Sequence, residues 1–152
     1  MSAHELAEPY PYVSTDDAAT DAALLLAEHK LPALLVVDPD EQPYAIVPGS
    51  QLVGQLVPEF ALADPHLAAS MDDRDLDEVP DELAGLTVAE WLPPRSFRPP
   101  TVGPDASVMH MAALMARTHT PLVAVVERVG DRSQLAGAVT AARLMQRLVG
   151  GS

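Results

Sequence analysis

The chain repeats itself, and the repeat limits its fold more than any single motif does. Shifted by 89 positions, residues 13–38 (VSTDDAATDAALLLAEHKLPALLVVD) fall on residues 102–127 (VGPDASVMHMAALMARTHTPLVAVVE). The copies share Val13/Val102, Asp16/Asp105, Ala23/Ala112, Leu25/Leu114, Ala27/Ala116, Pro32/Pro121, Val36/Val125 and Val37/Val126. Three additional residues in the second turn move the offset to 92. Residues 43–57 then fall on residues 135–149, sharing Val47/Val139, Leu52/Leu144, Leu56/Leu148 and Val57/Val149. Such a repeat encodes two copies of one supersecondary unit.

Each copy reads as β-α-β-β-α. A short extended piece (Tyr12–Val13 or Thr101–Val102) meets an acidic helix start, Asp16 and Asp17 in one copy and Asp105 with Ser107 in the other. Apolar residues three or four apart predict the helix: Ala18, Ala22, Leu25 and Leu26, then Val108, Met111, Ala112 and Met115. Pro32 or Pro121 stops it. LPALLVVD and TPLVAVVE follow as continuous apolar runs, the pattern of a strand covered on both faces. A second strand (44–47 or 135–139) and a second helix complete the unit. SAHEL (2–6) and TVAEW (87–91) fit the Ser/Thr-x-x-Glu capping box, so each copy is expected to carry a short entry helix ahead of a Pro-rich crossing. The expected organisation is a first unit at 1–58, an acidic linker at 59–85 and a second unit at 86–152, in an α+β fold.

At 152 residues and 48% hydrophobic, the chain is long enough for a substantial core. The net charge of −13 argues against a nucleic-acid surface, because duplex phosphate would repel it. No run suits a membrane span, and MSAHELAEPY lacks the basic start and apolar centre of a signal peptide, so cytoplasmic residence is expected. The absence of cysteine excludes disulfides and thiolate chemistry.

The entry helix TVAEWLPP, the run at 102–127 and the closing GAVTAARLM, with the first copy in register, resemble the cystathionine-β-synthase (CBS) domain family, specifically a tandem pair or Bateman module of the stand-alone bacterial type. The resemblance implies two units related by a pseudo-twofold axis, packed through their sheets, with clefts between them. It also implies an adenosine ligand there (AMP, ADP, ATP or S-adenosylmethionine) as a regulatory ligand and no required cofactor. Regulation of an effector protein is implied in place of catalysis, and a homodimer is expected. The family's ribose-phosphate signature maps onto Gly137-Ala138-Val139-Thr140-Ala141-Ala142-Arg143. Thr140 matches, while Arg143 replaces an acid that would accept from ribose hydroxyls; a guanidinium only donates, and suits phosphate. Thr140 either caps the last helix or meets the ligand, and Arg143 either pairs with the acidic surface or holds an anion. In the first unit, Pro48 stands where the hydroxyl is expected, leaving Ser50 and Gln51 as weaker candidates. Adenine contacts map onto Val102, Pro121 and Leu122, and more weakly onto Val13, Pro32 and Ala33, all residues that a core uses equally well. The alternative reading is a dimerisation and interaction module whose degenerate sites hold no nucleotide.

Other sites fit poorly. The run 71–82 places Asp73, Asp75 and Asp77 at alternate positions, but Glu78 and Ala84 stand where a calcium loop needs Gly and Glu. Its acidity suits a solvated linker or docking surface. The five histidines show no ligand spacing, and no nucleophile elbow or phosphate loop appears, so enzymatic activity is not expected. Met109, Met111, Met115 and Met145 serve either core packing or an adaptable contact face.

Overall fold

A computed structural model describes residues 1–57, 63–71, 83–93 and 98–150. The first copy comprises α1 (Ala3–Leu6), β1 (Tyr12–Ser14), α2 (Ala19–Glu28), β2 (Ala33–Val37), β3 (Pro43–Pro48) and α3 (Gly49–Gly54). An exposed helix, α4 (Pro65–Ser70), is capped by the Asp64 carboxylate, which accepts from His66 N at 3.0 Å. The second copy comprises α5 (Val88–Trp91), β4 (Thr101–Val102), α6 (Val108–Thr118), β5 (Leu122–Val129), β6 (Arg132–Thr140) and α7 (Ala141–Gly150). Most of the 71–82 run, including its alternating aspartates, lies outside the described residues.

The repeat survives at the level of register. Strands β1-β2-β3 and β4-β5-β6 form two sheets, the first pair of each parallel and the second antiparallel. Val13 faces Val36 as Val102 faces Val125, and Ala33 faces Pro48 as Leu122 faces Thr140. Even the register shift recurs, between Val36 and Val37 and between Val125 and Val126. Both strands have two apolar faces because both faces are covered. Leu34 and Val36 pack under the first unit's helices, and Val123 and Val125 under the second's. The opposite faces meet each other: Ala33, Leu35 and Ile46 of one sheet pack with Leu122, Ala124 and Ala138 of the other. Each fully buried Leu or Val there contributes about 1.5–3 kcal/mol by leaving water.

The first acidic helix start differs from expectation. α2 begins at Ala19 after Ala18, without a side-chain cap. Asp17 Oδ2 instead accepts from Ser14 N at 2.8 Å, holding the turn out of β1. Ser107 does cap α6, accepting from His110 N at 3.1 Å.

The entry helices are exchanged between units. Ala3 and Leu6 of α1 pack into the second unit's core beside Met111 and Val123, while Val88 and Trp91 of α5 pack into the first beside Val13 and Leu34. The backbone contacts are equivalent. Ala3 N donates to Ala106 O (2.9 Å) and His4 N to Pro104 O (2.9 Å); Val88 N donates to Asp17 O (2.8 Å) and Ala89 N to Thr15 O (3.1 Å). Ser2 bridges Ser107 as Thr87 bridges Ala18. Thr87 and Glu90 complete a reciprocal capping box, Thr87 N donating to Glu90 Oε1 at 2.9 Å and Glu90 N to Thr87 Oγ1 at 3.3 Å. The Thr87 N–H, joined by the Thr87 hydroxyl donating to the same oxygen at 3.0 Å, holds the Glu90 carboxyl below the usual range.

Candidate functional site

The closing strand and helix of the second unit carry the candidate residues. Ala141 N donates to Pro121 O at 2.7 Å, which fixes Pro121, Leu122 and Thr140 side by side where β6 passes into α7. Thr140 Oγ1 accepts from Arg143 N at 3.2 Å and so caps α7; its hydroxyl proton remains available. Thr140 and Arg143 line a shallow cleft of about 640 Å³ with Glu8, Met145 and Gln146.

Glu8 comes from the crossing that follows the exchanged α1. Its backbone bridges Ala138, with N–H to carbonyl distances of 3.0 Å both ways. Its Oε1 lies 3.6 Å from Arg143 Nε, an ion pair longer than a hydrogen bond. Arg143 Nη1 donates to Gln146 Oε1 at 3.3 Å, while its shielded Nε has no hydrogen-bond partner among the described residues. The cation of the cleft is thus only loosely neutralised. Nothing in the one-dimensional sequence couples Glu8 to Arg143, and sequence reasoning missed it.

The other candidates divide between faces. Val102 packs on the helix side of its sheet with Met111 and Met115, whereas Leu122 packs between the sheets. The two side chains therefore cannot line one pocket. Val13 and Ala33 are separated in the same way. Pro32 is exposed, as are Ser50 and Gln51 at the start of α3.

The first unit contains a second feature that the sequence did not reveal. Gly49 N donates to Pro32 O at 3.1 Å, making Ala33 and Pro48 a non-hydrogen-bonded pair, so the Ala33 N–H and C=O point toward the β1 side. Pro11 lies on the approach to β1 and has no N–H to offer. Tyr10 fills the gap: its hydroxyl donates to Ala33 O at 2.6 Å and lies 3.4 Å from Ala33 N. Burial pushes the Tyr10 phenol above its ordinary pKa, a shift the hydrogen bond to Ala33 only partly offsets. In the second unit Pro99 and Pro100 replace Tyr10 and Pro11, and neither can donate to Leu122. Tyr10→Phe strips the buried Ala33 carbonyl of its donor and is expected to cost about 1–3 kcal/mol, measured by urea unfolding. A cost within about 0.3 kcal/mol of zero would mean that water replaces the hydroxyl.

Among the described residues no group of three or more His, Asp or Glu side chains could hold a metal ion, and no helix is long and apolar enough to cross a membrane.

Two sheets packed face to face, each built from the same β-α-β-β-α unit and each covered by the other's entry helix, define a tandem α+β pair. A family model for the CBS domain matches residues 95–150. Among solved structures, a CBS domain-containing protein of unknown function from Kribbella flavida is 42% identical over 98% of this chain and 99% of its own, with a TM-score of 0.83. The chain belongs to the CBS-domain family. More distant structures share the fold. CBSX2, a CBS-pair protein from Arabidopsis thaliana, was solved in complex with AMP; it is 19% identical, covers 98% of this chain and 96% of its own, and has a TM-score of 0.65. The CBS domain of a bacterial CNNM/CorC family Mg²⁺ transporter, in complex with ATP, is 16% identical over 99% and 88% of the two chains, again with a TM-score of 0.65. No curated protein matches the sequence.

Proposed function

We propose that this CBS pair is a regulatory module that takes an adenosine nucleotide against its second unit and changes its contacts with a partner protein in response. The observation that carries this reading is the loosely neutralised Arg143 beside the Thr140 hydroxyl in one cleft. A phosphoryl group there would accept from both and displace the Glu8 carboxylate, whose ion pair is long. The AMP and ATP complexes of proteins sharing the fold support the ligand class. Tyr10 points to one site per chain, since in the first unit it already takes the backbone groups at Ala33. The response would be a shift between two packings of the pair, limited by the ligand's differential affinity for them.

Thermal unfolding with AMP, ADP, ATP and S-adenosylmethionine at millimolar concentration tests this. A ligand present at about 100 times its Kd stabilises by roughly 2.7 kcal/mol, which raises Tm by about 5–10 °C in a chain of this size. Arg143→Ala is expected to abolish the shift and Glu8→Gln to enlarge it. A shift unchanged in Arg143→Ala would place the ligand elsewhere.

A second reading is favoured by the outer helices. Met145, Leu148 and Val149 lie three and four apart on α7 at 60%, 46% and 77% exposure, and Met109 on α6 is 68% exposed. We propose this apolar row as the contact of a homodimer. In an interaction module without a nucleotide it is the functional surface, and none of the four ligands then moves Tm. Met111 and Met115 belong to the core instead.

A further inference from the structure

From the α7 arginines we infer that the second-unit cleft selects a ligand with at least two adjacent phosphoryl groups, a nucleoside di- or triphosphate over a monophosphate, and that Arg147 reads the second group; this rests on the nucleotide reading above. Arg143 and Arg147 stand one helical turn apart, a spacing that places their Cβ atoms about 5–6 Å from each other. Both Nε atoms are shielded from solvent without a hydrogen-bond partner among the described residues. Both residues line a cleft of about 310 Å³ together with Met1 and with Leu6 of the exchanged α1. Arg143, Gln146 and Gly150 also line the larger Thr140 cleft, so the two clefts adjoin along α7.

The charge pattern is unusual for this chain. Acidic residues outnumber Lys and Arg by 22 to 9, yet two of the cations repel each other at i and i+4. Among the described residues only Glu8 forms an ion pair with either, and it reaches Arg143. A single phosphoryl group at Thr140 and Arg143 would leave Arg147 without a counter-charge. A second group, one bridging oxygen further on, brings an anion toward Arg147, whose planar fork suits phosphate. S-adenosylmethionine, with a sulfonium and no phosphate, offers neither group.

Calorimetric titration of the full chain with AMP, ADP and inorganic pyrophosphate, repeated on Arg147→Gln and Arg147→Lys, tests the inference. Wild type is expected to bind ADP about tenfold more tightly than AMP, the scale of one charge-assisted hydrogen bond. Arg147→Gln should bring that ratio near one while leaving AMP affinity within about twofold, and Arg147→Lys should retain part of the preference. Equal binding of ADP and AMP by wild type, or an unchanged preference in Arg147→Gln, overturns the inference and leaves the nucleotide reading standing. Pyrophosphate binding that depends on Arg147, without any nucleotide binding, upholds the polyphosphate site and rejects the nucleotide. Binding of neither rejects both. Should Arg147→Gln fail to fold, the wild-type ratio and Arg147→Lys still decide.

Discussion

Trp91→Ala is expected to destabilise the protein by about 3–5 kcal/mol, the usual cost of truncating a buried tryptophan. Its position in sequence does not suggest that the first unit would bear the loss. Trp91 belongs to the second copy, yet it is 5% exposed in the first unit's core, against Val13, Leu34, Val36 and Leu52. Its backbone is fixed as well, since Gln55 Nε2 donates to Trp91 O at 2.9 Å. The indole Nε1 has no partner among the described residues, so truncation forfeits packing and creates a cavity without breaking a hydrogen bond of the ring. At this size the midpoint should fall by on the order of 10 °C. Calorimetry should still show one transition, because each core contains part of the other copy. Two separated transitions, or a loss below about 1 kcal/mol, would contradict the exchanged packing.

The second large effect is expected at Gly137. Its φ is +149°, and a Cβ built there would stand 2.6 Å from the Glu8 carbonyl oxygen, a backbone atom that cannot turn aside. Gly137→Ala therefore combines a disfavoured backbone conformation, about 1–3 kcal/mol, with displacement of the two Glu8–Ala138 hydrogen bonds, about 1 kcal/mol each. A total near 3 kcal/mol or more is expected in denaturant unfolding. Gly103→Ala, whose added methyl meets nothing within 4 Å, is the control and should change little. Equal effects at the two glycines would refute the argument. Because the Glu8 backbone is what Gly137 admits, the same substitution should disturb the Glu8–Arg143 pair and any anion bound there.

These two positions show what could be read from the sequence. The strands, their order and the duplicated unit were legible, because a continuous apolar run between a helix pattern and a turn is a local signal and its recurrence at a fixed offset doubles it. A capping box marks where a helix begins but carries no information about the groove it enters, so the exchange of α1 and α5 stayed hidden. The candidate site was legible in part. Thr140 and Arg143 are close in sequence and their grouping follows from helical spacing, whereas Glu8 reaches Arg143 only through the fold. The uniform apolar character of β2 and β5 also concealed alternation: Leu122 and Val123 look alike in sequence and face opposite sides. Tyr10 was missed for a further reason. Its role depends on which carbonyl Pro11 leaves without a donor, a question that arises only once register is known.

The exchanged helices also bear on how such a chain could have arisen. A half-length chain whose entry helix lay as α1 and α5 do here would leave the groove under its own sheet unfilled. Two separate copies would satisfy both grooves by lending each other that helix, as the two halves do here. Joining the copies end to end then converts a concentration-dependent pairing into an intramolecular one, after which each half is free to diverge. Pro48 opposite Thr140, and Tyr10 opposite Pro99, are differences that a pair of identical copies could not hold.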